Sequence, residues 1–180
     1  MQLNAADPNE VDLQKIKGPV PTLPSPGKIY VCGNHVEAHI AISGLVNCTA
    51  IFLYHAISGA RAMIHYNPFG EIGPVEKDVK ECLDYLSEKY TAPKMTLQVS
   101  LYNKIGVPES SFKTDKLKGV LESAFGSEHN NIIAPHYKFD GGIALMDASG
   151  TVWACKKHNM NWTIEGVTFS DKGKAVLFKN

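Results

Sequence analysis

The run Ile42-Ser-Gly-Leu-Val-Asn-Cys48-Thr-Ala-Ile-Phe-Leu-Tyr54 is followed, after a short connection, by Ala60-Arg-Ala-Met-Ile-His65-Tyr-Asn-Pro68. The first half sets a cysteine at the mouth of a strongly apolar strand, just past a small-residue turn. The second half predicts an antiparallel return strand with a histidine near its end. If residues 55–58 form the connection, Tyr54 pairs with Gly59, and the same register sets Cys48 opposite His65. Directly opposed residues hold their Cβ atoms about 4.5–5.5 Å apart, close enough for a thiolate–imidazolium pair. A free thiol with a pKa near about 8.5 is mostly protonated at neutral pH. A neighbouring imidazolium lowers that pKa and supplies the proton that a leaving group needs. The competing assignment makes Cys48 a small core residue and His65 the cap of a strand end.

Strand-like runs rich in β-branched and aromatic residues extend outward from this pair, at 28–32, 47–54, 60–66, 95–102, 131–137, 142–147, 150–156 and 175–178. Two segments carry helical spacing instead. One, 74–90, has Val75, Val79, Cys82, Leu83, Leu86 and Tyr90 on one face; the other, 114–125, has Leu117, Val120, Leu121 and Phe125 behind a Thr114 cap. The expected fold is α+β, with mixed β-sheets packed as a sandwich and two main helices on one side. Five of the ten prolines fall in residues 1–27, and that stretch reads as a polyproline arm, mobile or lying on the surface. Residues 28–180 then form a single domain.

Composition excludes several classes of function. The 180 residues contain 18 Lys+Arg and 18 Asp+Glu, so no electrostatic footprint for nucleic acid or an anionic membrane is present. The longest apolar run, Ala50–Tyr54, falls far short of the roughly 20 residues that span a bilayer. The first residues lack the basic and apolar regions of a secretory signal. The expected location is the cytoplasm, with delivery into another cell as the alternative. Four cysteines, Cys32, Cys48, Cys82 and Cys155, stand far apart without a C-x-x-C, and the expectation is reduced thiols. His35 and His39 have the i, i+4 spacing that ligates metal on a helix, but their flanks read as loop or strand. They are assigned to a polar loop beside the mouth of the site, and no metal is expected. His55 is assigned to a solvated hairpin connection.

From Lys28 to about Trp162, the order of elements resembles the CheD family of chemoreceptor glutamine deamidases, which is related in structure to the catalytic domains of cytotoxic necrotizing factors. The specific parts are the cysteine-bearing apolar strand, the histidine 17 residues after Cys48, and the turn Asp140-Gly141-Gly142 ahead of the last hairpin. The resemblance implies a nucleophilic Cys48 with His65 as base and acid. The reaction it implies is deamidation of a glutamine on a target protein, with no cofactor. It also implies an oxyanion held around Asn47 and Cys48, with Ser43 and Thr49 lining the site. The family's Gly-Ser before the cysteine is replaced here by Val46-Asn47, and its threonine six residues ahead by Ile42, with Ser43 the nearest hydroxyl. Two alternatives stand beside this reading: a protein-binding module on the same fold, and a cysteine hydrolase of another amide. Nothing in the sequence sets the oligomeric state.

Overall fold

The computed structural model describes residues 2–6, 9–11, 16, 20–23, 29–33, 39–67, 72–90, 97–104, 119–120, 122–123, 133–139, 142–155 and 164–166. The strands are β1 (Gln2–Ala6), β2 (Asn9–Val11), β3 (Val20–Leu23), β4 (Ile29–Cys32), β5 (Ile40–Ser43), β6 (Thr49–His55) and β7 (Arg61–Tyr66). Helix α1 (Ile72–Tyr90) follows, and then β8 (Leu97–Lys104), β9 (Ile133–Phe139), β10 (Ile143–Met146), β11 (Val152–Cys155) and β12 (Ile164–Gly166). They build two six-stranded sheets, ordered β1-β9-β8-β6-β7-β4 and β12-β3-β5-β10-β11-β2. Both mix parallel and antiparallel neighbours. The fold is α+β and mostly sheet.

Three apolar layers follow from strand alternation. Ile51, Leu53, Ala62, Ile64 and Tyr66 turn one face of the first sheet toward α1, meeting its stripe of Val75, Val79, Cys82, Leu83 and Leu86. That stripe has helical spacing, and the opposite positions Glu76, Lys77 and Lys80 are exposed. The other face of the first sheet (Tyr30, Cys32, Ala50, Phe52 and Met63) packs on Leu23, Ile40, Ile42, Ala144 and Met146 of the second. A third cluster, Ile16, Val20, Ala41, Ile143 and Leu145, covers the far face of the second sheet, with Trp153 against it. Strands β6 and β7 are therefore apolar on both faces, which explains why they read as continuous hydrophobic runs rather than alternating ones.

Two expectations change here. The polyproline arm expected over residues 1–27 is strand at Gln2–Ala6, Asn9–Val11 and Val20–Leu23. β3 is wholly buried and lies between β12 and β5. Proline's fixed φ suits extended structure, and the pairing of β3 with β5 begins at Thr22, past Pro21, so no bond to β5 is lost there. Of the two expected helices, α1 is present, beginning two residues earlier than expected. The segment 114–125 is described only at 119–120 and 122–123, which are helical, and Val120 joins the α1 core. The expected strand at 175–178 lies outside the described residues.

Candidate functional site

Cys48 sits where the chain leaves one sheet for the other. β5 belongs to the second sheet and β6 to the first, so residues 44–48 cross between them. Gly44 takes φ of 72°, a left-handed conformation that a side chain disfavours, and turns the chain. Val46 N donates to Gly44 O at 2.9 Å, and Leu45 N donates to Gly142 O at 3.1 Å, tying the crossing to the start of β10. Gly142 is the last residue of the Asp-Gly-Gly turn; Asp140 and Gly141 lie outside the described residues. Leu45 is buried, Val46 and Asn47 are exposed, and Cys48 is half-buried against the core between the sheets.

The register across the hairpin differs from the expected one by two residues. Ala50, not Cys48, pairs with His65, and the hairpin closes through His55 and Ala60. The cause is His55 itself. It is buried rather than solvated, its Nδ1 accepts from Ser58 N at 3.1 Å, and it lies 2.6 Å from Ser58 Oγ. Gly59 N donates to His55 O at 2.8 Å, which lengthens β6 by one residue and starts β7 one residue later. An even shift preserves facing, because side chains alternate with a period of two. Cys48, Ala50, Met63 and His65 therefore all turn toward the second sheet. Cys48 and His65 become diagonal neighbours, a relation that spans about 7–8 Å in a sheet.

His65 is 1% exposed, and neither ring nitrogen has a hydrogen-bond partner among the described residues. Burial pushes its pKa below the usual histidine value, and the backbone of Leu23 opposes this in part. The ring is thus a neutral imidazole at pH 7. Burial pushes the Cys48 thiol up, partly offset by the Asn47 backbone, which favours the thiolate. The pair is a thiol and a neutral base, not a preformed ion pair.

The other expected site residues divide. Asn47 is next to the thiol, and its backbone bears on it. Thr49 precedes Ala50 on β6 and so turns toward the α1 layer; it pairs with Tyr66, a member of that layer. Ser43 follows Ile42 on β5 and pairs with Ile143, which faces the outer side of the second sheet. Neither Thr49 nor Ser43 lines the space shared by Cys48 and His65.

At the opposite end of the same gap lies a polar group that the sequence reading did not single out. Arg61 is fully buried and pairs with Cys32. Burial raises the Cys32 thiol while the Arg61 guanidinium pulls it down. His39 stands at this end, not beside Cys48. Its pKa is lowered by burial and by Arg61 and lifted by Asp147. Asp147 is engaged in the β10–β11 turn, where Oδ1 accepts from Ser149 N at 2.8 Å and Thr151 N at 3.0 Å, and Oδ2 from Trp153 Nε1 at 2.8 Å. Burial works against its ionisation, yet these bonds hold the carboxyl below the usual range. An arginine inside the run Ala60-Arg-Ala-Met was the available signal. Among the described residues, Cys32, Cys48 and Cys82 are free thiols, and no group of three or more His, Cys, Asp or Glu is placed to hold a metal. No helix among them is long and apolar enough to cross a membrane.

No family model matches the chain, and no curated protein does. Among solved structures, the chain is similar to the crystal structure of the Bacillus licheniformis hypothetical protein YfiH, with 7% identity and a TM-score of 0.41. The match covers 57% of this chain and 48% of that one, so it spans about half of that protein's length. A likeness of this size carries no argument about function.

Proposed function

We propose that the chain is a cysteine-dependent amidohydrolase that converts a glutamine of a target protein to glutamate and releases ammonia. The observation that carries this reading is the buried, neutral imidazole of His65, with the Leu23 backbone beside it and no hydrogen bond within bonding geometry among the described residues, on the same face as the half-buried thiol of Cys48. A buried polar group without a partner is rare and asks for an explanation. A base kept ready for a proton supplies one.

In the proposed reaction, Sγ of Cys48 attacks the side-chain carboxamide carbon as its proton passes to His65. The tetrahedral intermediate then collapses: the C–N bond breaks, and the imidazolium gives its proton to the departing amine, which leaves as ammonia. Water attacks the resulting thioester with His65 again taking a proton. The C–S bond breaks, the thiol is restored, and the side chain remains as glutamate. No cofactor enters. Backbone N–H groups at Asn47–Cys48 would hold the oxyanion, a role that needs position rather than a particular side chain. On this reading the fold is of the CheD and necrotizing-factor kind, with a second helix over 114–125 beside α1. The partner is a protein bearing the glutamine, met in the cytoplasm of the protein's own or another cell.

The raised thiol and the diagonal spacing favour one competitor, a binding module that keeps the fold without turnover. Limiting iodoacetamide separates the two. The amidohydrolase requires Cys48 to be alkylated before Cys32 and Cys82, at a neutral-pH rate at least about tenfold above that of a His65→Ala variant. Equal rates in the two proteins would remove His65 as a base and leave the binding module. Glutamine-to-glutamate conversion in a protein extract, lost on Cys48→Ser, then identifies the target.

A further inference from the structure

β6 ends on His55, and the hairpin closes there through two backbone bonds: His55 N donates to Ala60 O at 2.9 Å, and Gly59 N donates to His55 O at 2.8 Å. The side chain adds a second set. Ser58 N donates to Nδ1 at 3.1 Å, Ser58 Oγ lies 2.6 Å from the same nitrogen, and Ala60 N donates to Oγ at 3.2 Å. A backbone N–H can only donate, so Nδ1 carries the lone pair and the proton of the neutral ring is on Nε2. Nε2 is buried and has no hydrogen-bond partner among the described residues. The turn therefore selects one tautomer, with an acceptor at Nδ1 and an unmet donor at the far side of the ring.

A proton on the ring reverses that arrangement. Nδ1 becomes a donor facing the Ser58 N–H, which loses its acceptor, and the N–H at Nε2 stays unmet. Ser58 Oγ, already accepting from Ala60 N, is the one group in the turn left to accept from the cation. By alternation with Ile51 and Leu53, the ring lies on the α1 side of the first sheet, in an apolar layer that includes Ala60. Its register partner on β8 is Leu97. The titratable groups of that layer are Tyr66 and Cys82, both pushed up by burial and therefore uncharged, and α1 adds Asp78 beside Lys77. None of them acts on the His55 ring, whose pKa is lowered by burial alone. We infer that His55 is a proton-operated latch of the β6–β7 turn: the neutral ring holds residues 56–59 closed, and a proton on Nδ1 releases them while the sheet stays paired. β6 is bonded to β7 and β8 on its two sides, so the opening has a limit at the ladder pair Tyr54 with Arg61. Ala56 and Ile57 are already exposed, so release uncovers the ring rather than the core. The latch lies at the other end of the hairpin from Cys48 and does not depend on the chemistry proposed there.

Amide hydrogen exchange of the full chain, followed by NMR from neutral to mildly acid pH and corrected for intrinsic rates, tests the latch. Protection at Ser58 and Gly59 is expected to hold above pH 6.5 and to fall below it. The slope of one linked proton is up to about tenfold per pH unit. Ile51 and Leu53, in the middle of β6, should stay protected over the same range, which separates local opening from unfolding. His55→Asn keeps an acceptor for Ser58 N but does not titrate, and its turn amides should show no such fall. The ring nitrogen shifts of the native protein give a reading that needs no variant: at neutral pH they should show the proton on Nε2 and none on Nδ1. Protection lost at Ser58 and Gly59 only in step with Ile51 and Leu53 overturns the latch. So does an equal fall in His55→Asn, or a proton found on Nδ1 at neutral pH.

Discussion

Ala50 pairs with His65 across β6 and β7, so the side chain directly opposite the imidazole is a single methyl. Cys48 stands two residues before Ala50, just ahead of β6 and on the same side. A small residue at 50 leaves space through which Sγ and the ring can approach along the diagonal. Ala50→Val is expected to hold them apart. Overpacking a filled core costs about 1–3 kcal/mol, so the variant should fold with a lowered denaturant midpoint. Its Cys48 alkylation at neutral pH should fall to the rate of His65→Ala. Retention of the native rate would show that the two side chains do not cooperate.

The pH profile of Cys48 reactivity follows from two shifts of opposite sign. His65 has a lowered pKa, so the ring is neutral above the ordinary histidine value of 6.5 and charges only below it. The thiol is raised above 9.0, so a free thiolate forms only in alkali. Alkylation is expected to rise in two steps, one on the acid side of pH 6.5 and one above pH 9. His65→Ala should erase the first step and keep the second. A single rise above pH 9 in the native protein would contradict a base at position 65.

Stability should depend on pH through the same ring. His39, His55 and His65 all have folded-state pKa values below 6.5, so the unfolded chain binds protons first as the pH falls. Stability is full above pH 6.5 and declines as the solution is acidified through and below that value. Of the three, His65 lies in the core between the sheets. Replacing it by leucine should flatten part of the fall between neutral and mildly acid pH in urea titrations. An unchanged slope would mean that protonation of this ring is not linked to unfolding.

Gly150 takes φ of 81°, and a Cβ built there would fall on Cγ and Cδ1 of Tyr54. The left-handed backbone costs a side chain about 1–2 kcal/mol. The clash with a ring packed on the inter-sheet core adds overpacking of about 1–3 kcal/mol. Gly150→Ala should thus lower unfolding free energy by more than about 2 kcal/mol. A loss under about 0.5 kcal/mol, the scatter of ordinary surface changes, would show that the turn and Tyr54 rearrange freely.

Asp147→Ala removes the acceptor for Ser149 N, Thr151 N and the Trp153 indole at once. The group is partly solvated, so the expected loss is modest, about 2 kcal/mol at pH 7. The native carboxyl is held below 3.8, so its contribution persists above that pH and fades as the acid limit is approached. Asp147→Asn should recover part of the loss, because its amide oxygen still accepts. Equal destabilisation by both variants would mean that the charge, rather than the hydrogen bonds, does the stabilising.

The elements around Cys48 were legible because their signals are local. The apolar runs of β6 and β7 and the stripe Val75, Val79, Cys82, Leu83 and Leu86 of α1 are set by periodicity, which neighbours in space reinforce. The hairpin register was not, because it depends on the His55 ring turning inward onto Ser58, a tertiary choice that periodicity does not carry. The strands at Val20–Leu23 and Ile40–Ser43 were missed for related reasons. One is masked by prolines, and the other is only four residues long beside a glycine turn. At the site, the facing of Cys48 and His65 survived the register error because the error was even. Ser43 and Thr49 were chosen by nearness along the chain, and alternation sends both away. Arg61 is buried on β7 opposite Cys32 while Asp147 ties the β10–β11 turn to Trp153, and no spacing along the chain announces either.

The crossing at residues 44–48 also has a mechanical meaning. Cys48 hangs on a seam, anchored through Leu45 to Gly142 of one sheet and through β6 to the other, while His65 belongs wholly to the first. Any breathing of the two sheets at this end pulls on the cysteine and not on the histidine. The distance between them is therefore a gauge of how tightly the layers are clasped. A ligand wedged between the sheets at this end would alter the thiol's reactivity before it unfolded anything.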